Sequence, residues 1–158
     1  MLSATSQYAL RALASLATLK DGESILGRDL AKKTGIPQNY LSKILLTLGG
    51  AGIIRASRGT GGGYQLACQP EEMPLAEAVV LFDRNFAKPE CLLGYNQVCS
   101  DERGCPAHQA WRETKTCILN FLESTTLAEI ADHEGFHLNI PREKTGRGGR
   151  RRGGARSS

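Results

Sequence analysis

The sequence predicts a mainly α-helical fold that contains one small β-hairpin. Apolar residues recur at helical spacing through most of the first 130 of its 158 residues. Two short strand-like runs, at 53–54 and 64–66, flank a glycine-rich turn. An apolar content of 41% is enough for a hydrophobic core. No segment approaches the roughly 20 uninterrupted apolar residues of a membrane span, and we expect a cytoplasmic protein.

Three helices are expected before the hairpin. The first covers residues 3–19 and has one apolar face, which is formed by Ala9, Leu13 and Leu16. The second covers residues 26–34 and stops at Gly35, because glycine tolerates a positive φ. The third begins after Pro37, a residue suited to a helix start, and is expected to end at the glycines at 49, 50 and 52. Three short helices followed by a hairpin indicate a winged helix-turn-helix.

Further helices are expected after the hairpin. One follows Pro74, a long one covers residues 109–123, and a short one begins at Thr126 as its cap. The long helix has a wide apolar surface, so we expect a second subunit to cover it as a dimerisation helix. The predicted divisions are a winged-helix domain over 1–86, a cysteine loop over 87–107, the dimerisation helix and short terminal helix over 108–136, and a disordered tail over 137–158.

The positive charge is concentrated in that tail. The whole chain carries a net charge of +4, whereas residues 141–158 alone carry seven basic side chains and one acid. The rest of the chain is therefore slightly acidic, and nucleic-acid binding by it requires a local basic patch. The Arg/Gly-rich tail is expected to be solvated and to raise nonspecific DNA affinity. The alternative is a segment that binds RNA or single strands.

The second helix of a helix-turn-helix enters the major groove of DNA. Here its first turns would present amide groups, which read adenine edges, and a lysine, which can reach guanine or phosphate. A tyrosine there can bond to a phosphate, and arginines of the hairpin can enter the minor groove. The candidate DNA-binding residues are Gln38, Asn39, Tyr40, Ser42, Lys43, Arg55, Arg58 and Gly61. The alternative is a helical domain that binds another protein.

Three of the five cysteines lie in the predicted loop. Cys91, Cys99 and Cys105, with His108 three positions later, supply three thiolates and one imidazole, a set that can complete a four-ligand metal site. Zinc knuckles normally carry cysteines in closer pairs, so the spacing favours a cluster mildly and leaves zinc open. A disulfide framework is not expected in the cytoplasm. Cys68 and Cys117 are interpreted as small hydrophobic residues.

Three stretches resemble one known family. Residues 8–13 (YALRAL), 39–41 (NYL) and 58–64 (RGTGGGY) are similar to the signature segments of the Rrf-type winged-helix regulators, which include IscR-like and NsrR-like proteins. The resemblance extends from residue 1 to about residue 130. It implies a homodimer that binds a pseudo-palindromic double-stranded DNA operator, usually as a repressor. We expect no enzymatic activity, no small-molecule substrate and no membrane partner.

The resemblance also implies a cofactor. Cluster-bearing members place three cysteines in this loop, and Cys91, Cys99 and Cys105 match them. IscR-like members add a histidine three residues later, here His108, and hold a [2Fe-2S] cluster. Some NsrR-like members use an aspartate in the first helix and hold [4Fe-4S], but this chain has no aspartate before Asp21. The seven residues between Cys91 and Cys99 exceed the usual five, so [4Fe-4S], zinc and a metal-free thiol sensor remain alternatives.

Overall fold

The computed structural model describes residues 2–59, 61–84, 92 and 104–131. The structure is mainly helical with a two-stranded antiparallel hairpin, which confirms the predicted fold class. The helices in chain order are α1 (Ala4–Ala17), α2 (Gly27–Thr34), α3 (Gln38–Gly50), α4 (Leu75–Phe82), α5 (His108–Ser124) and α6 (Leu127–Ala131). Strands β1 (Ile54–Ser57) and β2 (Gly63–Leu66) form the hairpin, and a 3-10 turn covers Pro70–Glu72. The predicted division into four segments stays a prediction.

Helix α1 lies at the centre of the fold. It begins at Ser3, whose hydroxyl accepts a hydrogen bond of 3.2 Å from the Ser6 amide and so caps the helix. Its apolar face is buried and packs against α2, α3, α4 and α6. The core around it includes Leu13, Leu30, Leu41, Ile44, Leu48 and Leu127. The DNA-reading elements predicted from the sequence therefore rest on a helix that also contacts the C-terminal part of the chain.

The C-terminal ends of α2 and α3 can be compared with those predicted from the sequence. Helix α2 ends at Gly35 with φ +68°, as predicted. Helix α3 continues through Gly49 and Gly50, and the glycine with positive φ is Gly52 at +77°. The last turn is closed by hydrogen bonds from Gly52 N to Gly49 O and from Ile53 N to Leu48 O, each 3.1 Å. These bonds let the helix run past the first two glycines.

The hairpin is attached to the segment before α2. Tyr64 of β2 and Ile25 exchange two backbone hydrogen bonds, with N–O distances of 2.8 and 3.1 Å. The Ser24 hydroxyl donates to the Gly61 carbonyl oxygen over 2.7 Å. Within the hairpin, β1 begins one residue later than predicted, at Ile54, and extends to Ser57. The turn end of the hairpin is therefore fixed to the segment that precedes α2.

Helices α4, α5 and α6 complete the structure. The Leu75 amide donates to Thr125 O and the Leu127 amide donates to Met73 O, so the α5–α6 corner is joined to the start of α4. Thr126 precedes α6 as predicted, and its amide donates to the Glu129 carboxylate over 2.8 Å. Of the 17 residues of α5 only Leu122 is fully buried, and Phe121 is 55% exposed. Among the described residues, no helix is long and apolar enough to span a bilayer.

Candidate functional site

The first turns of α3 present polar side chains to solvent. Leu41, Ile44 and Leu45 anchor the opposite face of the helix in the core. Ser42 donates its hydroxyl to the Gln38 carbonyl oxygen over 2.9 Å, which leaves the hydroxyl oxygen free to accept a further bond. All the candidates predicted on this helix are exposed, namely Gln38, Asn39, Tyr40, Ser42 and Lys43. Because exposed amide, hydroxyl and ammonium groups can reach base edges and phosphates, this surface suits nucleic acid.

Tyr40 is held by α1. Its hydroxyl shares a hydrogen bond of 2.6 Å with the Thr5 hydroxyl. Its ring meets the Tyr8 ring edge-on, with 5.5 Å between ring centroids and 83° between planes. The Arg11 guanidinium lies 5.2 Å from the centre of the Tyr8 ring, within cation–π distance. These contacts orient the N-terminal part of α3, and no pattern in the sequence indicated them.

A groove of about 380 Å³ separates α3 from α2 and β2. Gln38 and Ser42 line one wall, Tyr64 lines another, and Arg28 of α2 lies at the edge. Arg28 was not predicted as a site residue, although it occupies the first turn of a helix-turn-helix. Its side chain is 67% exposed and lies 3.8 Å from the neighbouring Asp29 carboxylate. The groove thus adds a cation to the predicted polar surface of α3.

The predicted hairpin residues do not lie together. In the ladder Arg55 is paired with Gln65, and Ala56 is paired with Tyr64. Because side chains alternate along a strand, Arg55 faces the opposite side of the hairpin from Tyr64. Arg55 lines a separate cleft of about 480 Å³ near the C-terminal end of α1. The structure therefore brings Gln38 and Ser42 to one groove with Tyr64 and leaves Arg55 outside it.

The turn of the hairpin carries the remaining two candidates. Arg58 follows β1 directly and is exposed. Gly61 has φ +82°, a conformation that side-chain-bearing residues rarely adopt. The Gly61 carbonyl oxygen accepts from Ser24, which ties Gly61 to the segment before α2.

Cys105 and His108 lie three residues apart in one hydrogen-bonded turn at the start of α5. The His108 amide donates to the Cys105 carbonyl oxygen over 2.8 Å, and both residues are partly buried. Gly104 lies close to the His108 side chain. A Cβ built on Gly104 would lie 2.7 Å from the His108 Cβ and 2.8 Å from the Cγ of its imidazole. A thiol and an imidazole presented by one turn fit half of the predicted ligand set. Cys91 and Cys99 lie outside the described residues, within which no group of three metal-ligating side chains occurs.

The other two cysteines correct a prediction. Cys68 and Cys117 are both exposed and do not pack as small hydrophobic residues within one protomer. Cys68 follows β2 at the rim of the cleft that contains Arg55, where the packed core ends. Partial burial, with the nearby carboxylates of Glu77 and Glu72, raises the pKa of the Cys68 thiol. That shift disfavours the reactive thiolate at Cys68.

The helix-turn-helix beside an anchored hairpin defines a winged-helix, DNA-binding transcription regulator. Residues 2–133 match the Rrf2 family, described as iron-dependent transcriptional regulators, and the chain belongs to this family. It is 30% identical to the regulator NsrR of Geobacillus kaustophilus over 141 residues, which cover 89% of this chain and 96% of that protein. Identity to the regulator IscR of Aliivibrio salmonicida is 26% over 129 residues, which cover 82% and 76% of the two chains.

A solved structure gives the same result for the fold. The oxidized form of Staphylococcus aureus CymR matches with a TM-score of 0.67 and 27% identity, over 84% of this chain and 97% of CymR. These comparisons confirm the predicted family. They also confirm that the chain is not an enzyme, because the family and the relatives are transcriptional regulators.

Proposed function

We propose that the protein is a homodimeric repressor that reads a double-stranded operator through α3 and the hairpin, and whose operator affinity depends on an iron–sulfur cluster. The observation that carries the DNA-reading part is the exposed polar N-terminal half of α3, mounted on a buried apolar face. Because its operator lies on chromosomal DNA, the protein acts in the cytoplasm.

The groove geometry supports major-groove entry by α3. Gln38 and Asn39 supply amides for base edges, and Lys43 supplies a cation for guanine or phosphate. Arg28 faces the same groove and adds a contact to the phosphate backbone. Arg58 at the hairpin turn is assigned to the minor groove or its phosphates. Arg55 faces the other side of the hairpin, so the groove beside α3 does not support its assignment to DNA binding.

We assign the cluster to Cys91, Cys99, Cys105 and His108, and its type to [2Fe-2S]. The position of Cys105 and His108 on one turn at the start of α5 supports this assignment, as does membership of a family described as iron-dependent. When bound, such a cluster supplies a group that responds to oxidants, nitric oxide and iron–sulfur supply. Cys105 and His108 connect that group to α5, the helix predicted to form the dimer contact. A change at these ligands would therefore alter the spacing of the two α3 helices, which must match half-sites about 34 Å apart.

Anaerobic purification followed by an absorption spectrum and an iron and sulfide count tests the cluster. We expect a coloured protein with about two iron and two sulfide per chain. His108→Ala should lose or shift the visible bands, because a ligand is removed, whereas Cys117→Ser, an exposed cysteine on the same helix, should keep them. A colourless protein that contains zinc would contradict the proposal. Equal operator affinity of holo and cluster-free protein in a gel shift would contradict control by the cluster.

One alternative has support of its own. The relative CymR has been solved in an oxidized form, and Cys105 is a partly exposed free cysteine. A metal-free sensor would use reversible oxidation of a loop thiol to a sulfenic acid or disulfide. This alternative predicts no iron in anaerobically purified protein and a DNA affinity that changes with peroxide and recovers with a thiol reductant. Cys105→Ser would then remove or weaken the response.

A further inference from the structure

Asp83, which follows the last residue of α4, holds the first turn of α1. Its carboxylate accepts a hydrogen bond of 2.9 Å from the Ser3 amide, although the two residues are 80 positions apart. Burial raises the pKa of Asp83, but hydrogen bonds from the Ser3 amide and from the hydroxyls of Ser6 and Ser3 outweigh it and lower the pKa overall. A carboxylate at a helix N-terminus is also stabilised by the helix dipole. The contact is therefore a charged clamp on the start of α1.

The same turn of α1 holds the recognition helix. Thr5 lies two residues after Ser3 and shares its hydroxyl hydrogen bond with Tyr40. Tyr8, one turn further along α1, meets the Tyr40 ring edge-on. Because Ser3 and Thr5 lie within one helical turn of about 3.6 residues, a displacement of Ser3 is expected to displace Thr5 as well. Asp83 on one side and Tyr40 on the other are thus joined through a single turn.

We infer that Asp83 is a positioning residue for DNA recognition, which fixes the N-terminal end of α3 through Ser3, Thr5 and Tyr40. This inference rests on the proposed role of α3 in reading DNA. Base contacts by the neighbouring Gln38 and Asn39 require close alignment, since a binding group displaced by more than about 0.5 Å loses its geometry. Asp83 touches no DNA and acts through α1. It lies eight residues before Cys91, so the clamp is also close in the chain to the proposed cluster ligands.

The test uses the full chain and two DNA duplexes. One is selected by the wild-type protein from a random-sequence pool, and the other is a shuffled duplex of the same composition. We expect Asp83→Ala to weaken binding of the selected duplex by roughly five- to tenfold, comparable with the loss of one base contact. Binding of the shuffled duplex should be unchanged, because phosphate contacts tolerate a small displacement. Asp83→Asn, which keeps a carbonyl acceptor for the Ser3 amide, should retain most of the selectivity.

Glu77→Ala is the matched control, because Glu77 is an exposed carboxylate on α4 and removes the same charge. Thr5→Val tests the link independently of Asp83 and should reproduce the loss. Thermal melts by circular dichroism identify any variant that does not fold. If Asp83→Ala does not fold, the result for Thr5→Val decides whether the inference holds. Amide hydrogen exchange should be faster in the first turns of α3 in both Asp83→Ala and Thr5→Val.

Gln38→Ala separates the proposed role of α3 in reading DNA from the inferred role of Asp83. If Gln38→Ala lowers selectivity while Asp83→Ala and Thr5→Val do not, the positioning inference is overturned and the proposed function stands. If Gln38→Ala has no effect, the assignment of α3 to base reading fails, and the inference fails with it. An equal loss on both duplexes, or an equal loss in Glu77→Ala, would show a general charge or folding effect and would also overturn the inference.

Discussion

At the scale of single residues, the Asp83 carboxylate makes stability depend on pH. Its pKa in the folded protein is lowered from the ordinary value of 3.8 by the hydrogen bonds to Ser3 and Ser6, which exceed the effect of burial. A group with a lowered pKa stabilises the fold above its unfolded pKa and loses that contribution as the pH falls through the folded pKa. Asp83 therefore stabilises the protein at neutral pH and ceases to do so in acid.

This gives a prediction for acid unfolding. Between about pH 5 and pH 3 the free energy of unfolding should fall less steeply in Asp83→Asn than in the wild-type protein, because the titrating group is absent. Urea unfolding at several pH values measures the difference. Glu77→Gln, which removes an exposed carboxylate of α4, is the control and should not reproduce the change seen in Asp83→Asn. Parallel pH profiles for Asp83→Asn and wild type would contradict the clamp.

The residue scale is also where the sequence was least informative. The exposed side chains of α3 follow from helical periodicity, and the structure exposes each of them. The contact of Ser3 with Asp83 and that of Thr5 with Tyr40 span 80 and 35 positions. Such pairs depend on how α1 packs against α4 and α3. The spacing of apolar residues along the sequence does not indicate that packing. Arg28 was missed for a similar reason, because its groove exists only once β2 is in place.

At the scale of elements, the hairpin depends on the close approach of Gly63 to Ile25. A Cβ on Gly63 would lie 2.5 Å from the Ile25 carbonyl oxygen, a backbone atom with little freedom to move. Gly63→Ala should therefore displace the hairpin or strain it, at a cost of about 1–3 kcal/mol in the free energy of unfolding. The operator affinity of the Gly63→Ala variant should also fall, since the turn that carries Arg58 would move with β2.

A matched glycine is available for comparison. Gly50, the last residue of α3, has open space around its Cβ position. Gly50→Ala should be neutral or stabilising by about 0.5 kcal/mol, because alanine favours the helix. Urea unfolding of both variants checks the contrast, and a Gly63→Ala protein as stable as Gly50→Ala would refute the close approach. The sequence predicted the glycine-rich turn, but which glycine is needed for packing depends on the Ile25 bridge.

At the scale of the whole molecule, the exposure of α5 fits the proposed dimer contact. Leu122 is its only fully buried residue, whereas Phe121 is 55% exposed. Helices in folded proteins draw most of their stability from packing of an apolar face. A second protomer on this face would supply that packing and would place two α3 helices on one operator. The sequence predicted the length of α5 and its apolar surface, because both follow from helical periodicity over residues 109–123.

Phe121→Asp tests that assembly. We expect the solution mass to fall from twice the chain mass of 17.1 kDa to that mass, because a charge cannot be buried in an apolar contact without a partner. Sedimentation equilibrium measures it. Leu46→Asp replaces another exposed apolar residue, 79% exposed on α3, and should leave the mass unchanged. A wild-type protein that sediments as a single chain at micromolar concentration would exclude the proposed homodimer.

The bonds from Ser24 to Gly61 and between Ile25 and Tyr64 have an evolutionary consequence. They fix the hairpin with main-chain and small polar groups that do not include the exposed side chains on α3. Under the proposed function, substitutions at Gln38, Asn39 or Lys43 should therefore alter sequence preference while leaving these bonds intact. After a gene duplication, a descendant of this chain would then need few amino-acid changes to acquire a different set of target genes.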